Sequence, residues 1–391
     1  MIKAGGILRK TILIALLSLT LACQPVAETE APTRVTPSPL PSATPSPTQP
    51  YVYLTPTPGY PERGFGPLDF PIDIDPLTGL NTDPALLDRR PLLIKVSNLP
   101  RDVRPQSGLS RADIVYEYYT EEGTTRFIAI YYGQDAKQVG SIRSARFFDA
   151  NIVQIYRGLF VFGSGDERVR DRLYNSDFAD RLIVEYQAEC PALCRPDPVT
   201  NYLMANTAAL HSYAREQGMS DERQNLEGMR FRMQPPEGGQ PASQVYAWYS
   251  AVIYNRWDYD PPSGRYYRYV DAENALEGQP EVYKPLRDAL GDVPISADNV
   301  VILLMPHTFY SVSPEIVEMQ FSVSGLAYAF RDGQYYQLNW VRANEAGLFS
   351  LYTDDGVVYP FKPGITWFEV MGVSTKIHQN DGIWRYEMRF P

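Results

Sequence analysis

The sequence predicts an α+β fold: a mixed sheet covered by helices in a first domain, followed by a mainly β second domain. Three observations carry that expectation. Between residues 91 and 217, apolar runs of strand length alternate with segments of helical spacing. Beyond residue 244, Asp332-Gly333, Asp355-Gly356 and Asp381-Gly382 punctuate alternating or aromatic-rich runs, as hairpin turns do where Gly accepts positive φ. Between the two regions, residues 233–243 carry Gln-Pro-Pro-Glu-Gly-Gly-Gln-Pro-Ala, which breaks every periodicity around it. A folded part of roughly 320 residues exceeds what one core commonly serves. The expected division is therefore 69–232 and 244–391.

The chain opens with Lys3, Arg9 and Lys10 ahead of a short apolar run, residues 11–22, that ends Leu19-Thr20-Leu21-Ala22 before Cys23. The run is too short to span a bilayer and has the length of a signal-peptide apolar region. A small residue beside the cut, followed by Cys, is the layout of a lipoprotein signal. The expectation is a leader over 1–22 and a lipid on Cys23, holding the protein to the outer face of a bacterial membrane. Residues 23–68 read as a tether, because 12 of the 34 prolines lie between Pro25 and Pro67, interleaved with Thr and Ser. Such a segment favours extended polyproline conformation, and at ~3.1 Å per residue it reaches up to about 130 Å.

In the first domain, residues 91–97, 112–119, 126–132 and 159–162 read as strands, the second and third joined by a turn at Glu121-Glu122-Gly123. Residues 147–156, 166–174 and 207–217 carry helical spacing. In the second domain, residues 317–323, 335–341 and 383–390 read as strands.

The net charge is −10, and the leader carries three cations and no acid, so removing it leaves −13. An acidic surface argues against nucleic acid as a partner and against charge-driven binding to anionic lipid; an anionic ligand needs a local basic pocket. With Cys23 lipidated, Cys190 and Cys194 remain, and outside the cytoplasm a close pair oxidises to a disulfide. A zinc site needs four ligands, and the nearest histidine is His211, so no metal site is assigned.

The densest group of unusual polar residues lies between Asn98 and Arg146. Arg104, Gln106 and Ser107 stand in Arg-Pro-Gln-Ser-Gly-Leu; Asp113 and Glu117 in Ala-Asp-Ile-Val-Tyr-Glu; Arg126 in Glu-Gly-Thr-Thr-Arg-Phe; Arg143, Ser144 and Arg146 in Ile-Arg-Ser-Ala-Arg. Arginine offers a planar fork of donors suited to phosphate or carboxylate. Asp113 and Glu117 sit at an even strand spacing, so they are expected on one face, where a carboxylate pair could hold Mg²⁺ against a phosphate. The competing reading is a network of structural ion pairs. Gly163-Ser164-Gly165, between a strand and a helix start, forms a second candidate, because backbone N–H groups there can face an anion.

These four motifs, in this order, resemble the YerB-like bacterial lipoproteins, a domain of unknown function with N- and C-terminal parts. The resemblance continues through Tyr259-Asp260, Ser263-Gly264, Tyr267-Arg268, Asp298-Asn299-Val300 and Gly364-Ile365-Thr366-Trp367. It covers nearly all of residues 70–391 and implies a two-part, envelope-anchored protein without an established activity. Thr200 stands where that family tends to place a histidine before Asn201, so any acid–base work by that histidine is absent here. A shorter stretch, Arg111-Ala112-Asp113 and Ser141-Ile142-Arg143, is similar to the LytR-CpsA-Psr proteins. That similarity implies a phosphorylated envelope ligand handled by Arg and Mg²⁺-binding Asp.

Other catalytic patterns are weaker. None of the three histidines, His211, His307 and His378, stands near a Ser or Cys nucleophile motif, and no metallopeptidase signature is present. Glu117 with Glu121 or Glu122 could serve a glycosidase, as could any acidic turn. The 28 tyrosines could stack on sugars, but at strand spacing they read as half-buried packing. The expected function is an envelope lipoprotein presenting an Arg-lined crevice to an anionic wall or lipid-linked ligand, with no cofactor. The alternatives are a Mg²⁺-dependent phosphoryl or glycosyl transferase acting on a wall polymer, and a protein-interaction scaffold.

Overall fold

The computed structural model describes residues 59–321, 323–342 and 350–389; the leader, Cys23 and the tether up to residue 58 lie outside the described residues. One 11-stranded sheet organises the fold, and the described residues form one compact unit around it. From one edge the order is Gln240–Pro241, Gln334–Arg342, Val323–Arg331, Asn299–Met305, Thr366–Gly372, Ile114–Tyr119, Thr125–Tyr131, Leu92–Ser97, Leu159–Phe162 and Leu182–Val184. Ser350–Tyr352 pairs beside Gln334–Arg342. The halves on either side of residues 233–243 share this sheet. Thr366–Gly372 runs parallel to both Asn299–Met305 and Ile114–Tyr119, bringing Glu369 level with Glu117.

The central strands are buried on both faces, which suits their continuous apolar and aromatic runs. Alternation along Ile114–Tyr119 sorts the faces. Tyr116 and Tyr118 pack on Phe148 of the helix Phe147–Tyr156, with ring centroids 6.3 and 4.7 Å away. Glu117 faces a second, seven-stranded sheet built from Tyr283–Pro285, Arg265–Asp271, Tyr254–Asp260, Gln244–Trp248, Ile383–Glu387 and Lys376–Asn380, with Ser296–Ala297 beside Arg265–Asp271. Tyr335 and Trp384 stack between the sheets at 3.6 Å. The α+β expectation holds: helices cover one face of a mixed sheet, and the C-terminal half is β throughout its described elements.

Local expectations hold where side-chain chemistry decides them. Asp332 and Gly333, at φ 52° and 71°, join two nine-residue strands as a two-residue hairpin turn. Asp166 is the N-cap of the helix Glu167–Tyr174 rather than its first residue; its carboxylate accepts the Arg168 N–H at 3.0 Å. The strand expected over 317–323 is displaced: Glu315–Met319 pairs instead with His307–Val312 in a separate hairpin, and the next sheet strand starts at Val323.

Candidate functional site

Most of the candidate side chains between residues 98 and 146 are already committed inside the protein. Arg104 is buried and grips Asp271 with both terminal nitrogens, at 3.0 and 3.1 Å. The Gln106 amide donates to the Ser97 carbonyl at 3.1 Å, and the Ser107 hydroxyl to the Gln138 carbonyl at 3.0 Å. Asp113 accepts the Tyr132 and Gly133 N–H groups at 2.5 and 3.0 Å. Burial, reinforced by the charge of Asp75, pushes its carboxyl well above the usual range.

Glu117 is fully buried between the sheets. It accepts Arg268, Thr125 at 2.6 Å and Asn98 at 3.0 Å, while Arg268 also holds Glu369 at 2.8 Å. Trp257 and Tyr249 donate to Glu369 at 2.9 and 3.0 Å, and the Arg268 guanidinium lies 4.5 Å from the Trp367 ring centre. Burial raises Glu117 to about 8, against the pull of Arg268 and with the push of Glu369. This is a structural seam joining the two sheets.

The strand register corrects the expectation that Asp113 and Glu117 flank a metal beside the arginines. Ile114 pairs with Ile130, whereas Arg126 pairs with Ser97, which Arg143 touches. Asp113 and Arg143 thus lie at opposite ends of the sheet's central strands, about 15 Å apart at ~3.3 Å per residue. Glu117 faces the second sheet, while Arg126, level with Tyr118, faces the helix. Among the described residues, no three of His, Cys, Asp or Glu cluster as a metal cage requires.

Arg126 and Arg146 do converge, on one acid. Glu121 takes Arg126 at 2.8 Å and two nitrogens of Arg146, one at 2.6 Å, and Arg126 also donates to the Ser144 carbonyl at 2.8 Å. Burial would raise Glu121, but the hydrogen bonds and charges of the two arginines outweigh it and hold its carboxyl below the usual range. Arg126 is lowered to about 10 by burial and by Arg146. Behind them, fully buried Lys95 reaches Asp149 at 3.2 Å and also meets the Tyr118 hydroxyl; burial lowers its ammonium to about 7. Arg126 and Glu121 line an open cleft of about 420 Å³ with Arg101 and Thr124, but the Glu121 carboxylate already occupies the arginine forks.

Arg143 is different. Its Nε donates to the Ser97 hydroxyl at 3.2 Å, and among the described residues it pairs with no carboxylate. It lines a hollow of about 270 Å³ with Ser144, Gly163, Ser164, Glu185 and Arg195. The hollow follows from topology. Leu92–Ser97, Leu159–Phe162 and Leu182–Val184 run parallel, and Gly163, Ser164 and Glu185 directly follow the last two. Crevices beyond the carboxyl ends of parallel strands are where open sheets of this kind expose their loops.

Three lining residues, Ser141, Arg195 and Leu203, adjoin the strands of a three-stranded ribbon, Val139–Gly140, Met204–Ala205 and Leu193–Cys194. A disulfide joins Cys190 to Cys194, next to Arg195. Arg195 pairs with Glu185 and with the Asn201 carbonyl. Gly165 does not line the hollow, and the start of the following helix is filled by Asp166. The anion seat expected there is thus taken by the protein's own carboxylate. Sequence reasoning missed Arg195 and Glu185, whose only signal was their position just after a short apolar strand and a disulfide loop.

The same architecture occurs in a solved structure. The crystal structure of YerB protein from Bacillus subtilis matches with a TM-score of 0.63 and 23% identity, covering 76% of this chain and 96% of that one. The N-terminal domain of a protein family of unknown function, DUF3048, matches residues 77–220, and its C-terminal domain residues 245–368. The chain belongs to the YerB-like family. In sequence, this YerB-like chain is 24% identical over 298 residues to YerB of Bacillus subtilis (strain 168), a protein whose name calls it a lipoprotein; the match spans 76% of this chain and 85% of the relative. The two YerB-like domains meet in the parallel strand pair that carries Glu117 and Glu369. Among the described residues, no helix is long and apolar enough to cross a membrane.

Proposed function

We propose that the chain is a cell-envelope lipoprotein, anchored outside the membrane by a lipid on Cys23, that binds an anionic ligand in the hollow around Arg143. The ligand is phosphorylated or carboxylated and belongs to the wall or to a lipid carrier. The observation that carries this reading is that Arg143 lines a hollow with no carboxylate partner among the described residues, while Arg104, Arg126 and Arg146 are each engaged by an acid. Arg143 and Arg195 against Glu185 leave one excess positive charge in the hollow of a chain whose net charge is −10. A local basic pocket in an acidic protein focuses field on a small anion. Ser144 and Ser164 add hydroxyl groups around it. The leader, Cys23 and the Pro/Thr/Ser tether support the address, and kinship to a relative named as a lipoprotein supports the anchor.

Titration calorimetry with isoprenyl phosphates, wall fragments and teichoic polymers tests the binding. At least one should give saturable heat, weakened tenfold or more in Arg143→Ala. No heat with any of them, or unchanged affinity in Arg143→Ala, overturns the proposal. For the anchor, Cys23→Ser should move the protein from the membrane to the soluble fraction.

A further inference from the structure

The geometry points to a single sugar-sized anionic headgroup as the occupant of the Arg143 hollow, a sugar phosphate or sugar acid rather than a bare phosphate, an isoprenyl chain or an extended polyanion. This rests on the anion-binding reading above and narrows it. Three features carry it.

The first is a carboxylate inside a site that otherwise favours anions. Glu185 shares one oxygen with Arg195, and its other, Oε2, overhangs Gly163, 3.5 Å from where a Cβ on that residue would stand. A carboxylate repels a second anion but accepts hydroxyl hydrogens, so Arg143 and Glu185 together suit a ligand with one charged end and one hydroxyl-rich end. The second is the lining. Its two aliphatic side chains, Ile142 and Leu203, are each only 6% exposed, and the rest of the wall is arginine, glutamate, glycine, serine, threonine, asparagine and the half-buried ring of Tyr202. An isoprenyl chain thus meets almost no aliphatic side chain there, while Tyr202 adds an aromatic ring suited to a sugar. The third is scale and field. A volume of about 270 Å³ holds roughly one sugar unit with its charged group. The net charge of −10 acts against a long polyanion that would run out of the hollow across the surface.

The test is a set of calorimetric titrations of the full chain with glucose 1-phosphate, N-acetylglucosamine 1-phosphate, glucuronic acid, glucose, inorganic phosphate and inorganic polyphosphate. At least one sugar anion should bind tenfold or more tightly than inorganic phosphate or glucose. Arg143→Ala should weaken that binding tenfold or more. Glu185→Gln and Glu185→Ala should weaken it at least threefold while leaving inorganic phosphate unchanged or bound more tightly, the opposite of what a merely unfolded hollow would give. Inorganic phosphate matching every sugar anion, polyphosphate binding more tightly than all of them, or sugar-anion affinity indifferent to both Glu185 variants overturns this assignment while leaving the anion site standing. Failure of all six probes overturns the headgroup assignment, and the anion-binding reading falls with it only where isoprenyl phosphates, wall fragments and teichoic polymers give no heat either.

Discussion

Replacing Arg268 by Met removes the one cation held between Glu117 and Glu369. All three side chains are fully buried, and no water-exposed atom of the trio can relieve the change. Breaking a buried ion pair by deleting one partner costs about 3–5 kcal/mol, because the remaining charge is stranded. With a urea dependence of about 2.5 kcal/mol per M, the unfolding midpoint should fall by about 1–2 M at pH 8.

The pH dependence has a definite sign. The Glu117 carboxyl titrates at about 8 in the folded chain, against an ordinary 4.5. Between those values the native state holds a proton that the unfolded chain releases. The stability this group contributes is therefore complete below about pH 4.5 and is lost as pH rises through 8. In Arg268→Met the Glu117 carboxyl loses its cation and stays buried only as the neutral acid, so the deficit should shrink toward pH 4.5 and grow toward pH 8. Adding Glu117→Gln and Glu369→Gln to Arg268→Met should recover most of the loss. Urea midpoints at pH 5 and pH 8 make the assay. A variant with the wild-type midpoint at pH 8 would refute the reasoning, since it would mean that the two carboxylates are solvated and the sheets are not sealed there.

The Glu121 carboxyl is held below its ordinary range, so its contribution is present above about pH 4.5 and lost as pH falls further. Glu121→Gln should cost about 1–2 kcal/mol at pH 7, discounted for its partial exposure, and progressively less as pH falls below about 4.5, read by chemical denaturation. Gly133→Ala places a Cβ 2.6 Å from the Asp75 carboxylate and 3.5 Å from that of Asp113, and should lower stability by about 1–3 kcal/mol in a thermal melt. Cys190→Ala/Cys194→Ala opens a five-residue loop, which by chain entropy costs about 2 kcal/mol. It should also weaken sugar-anion binding, because Arg195 directly follows the clip.

The elements that declare themselves in the sequence are those whose side chains settle their own geometry. The helix Phe147–Tyr156 and the strand Leu159–Phe162 have the bounds their periodicity predicts, and the Asp332-Gly333 hairpin is encoded by two residues tolerant of positive φ. Asn299–Met305 is a continuous apolar run, the mark of a strand covered on both faces, yet nothing local says that it lies two strands from Ile114. Long-range pairing decided the site as well. The arginine-rich segment was visible, but which arginine meets an acid depends on Asp271, 167 positions beyond Arg104, and on the register that sets Glu121 against Arg146. Glu117 looked like a metal ligand because its partner, Arg268, comes from a sheet formed 151 residues later.

The most direct test of the account follows the arginine side-chain Nε–H resonances of the full chain by nitrogen-proton NMR while N-acetylglucosamine 1-phosphate is titrated in. Arg143 should shift saturably, Arg195 should follow to a smaller extent, and Arg104, Arg126, Arg146 and Arg268 should stay in place beside their carboxylates. Resonances of Arg126 and Arg146 moving while Arg143 remains still would contradict it.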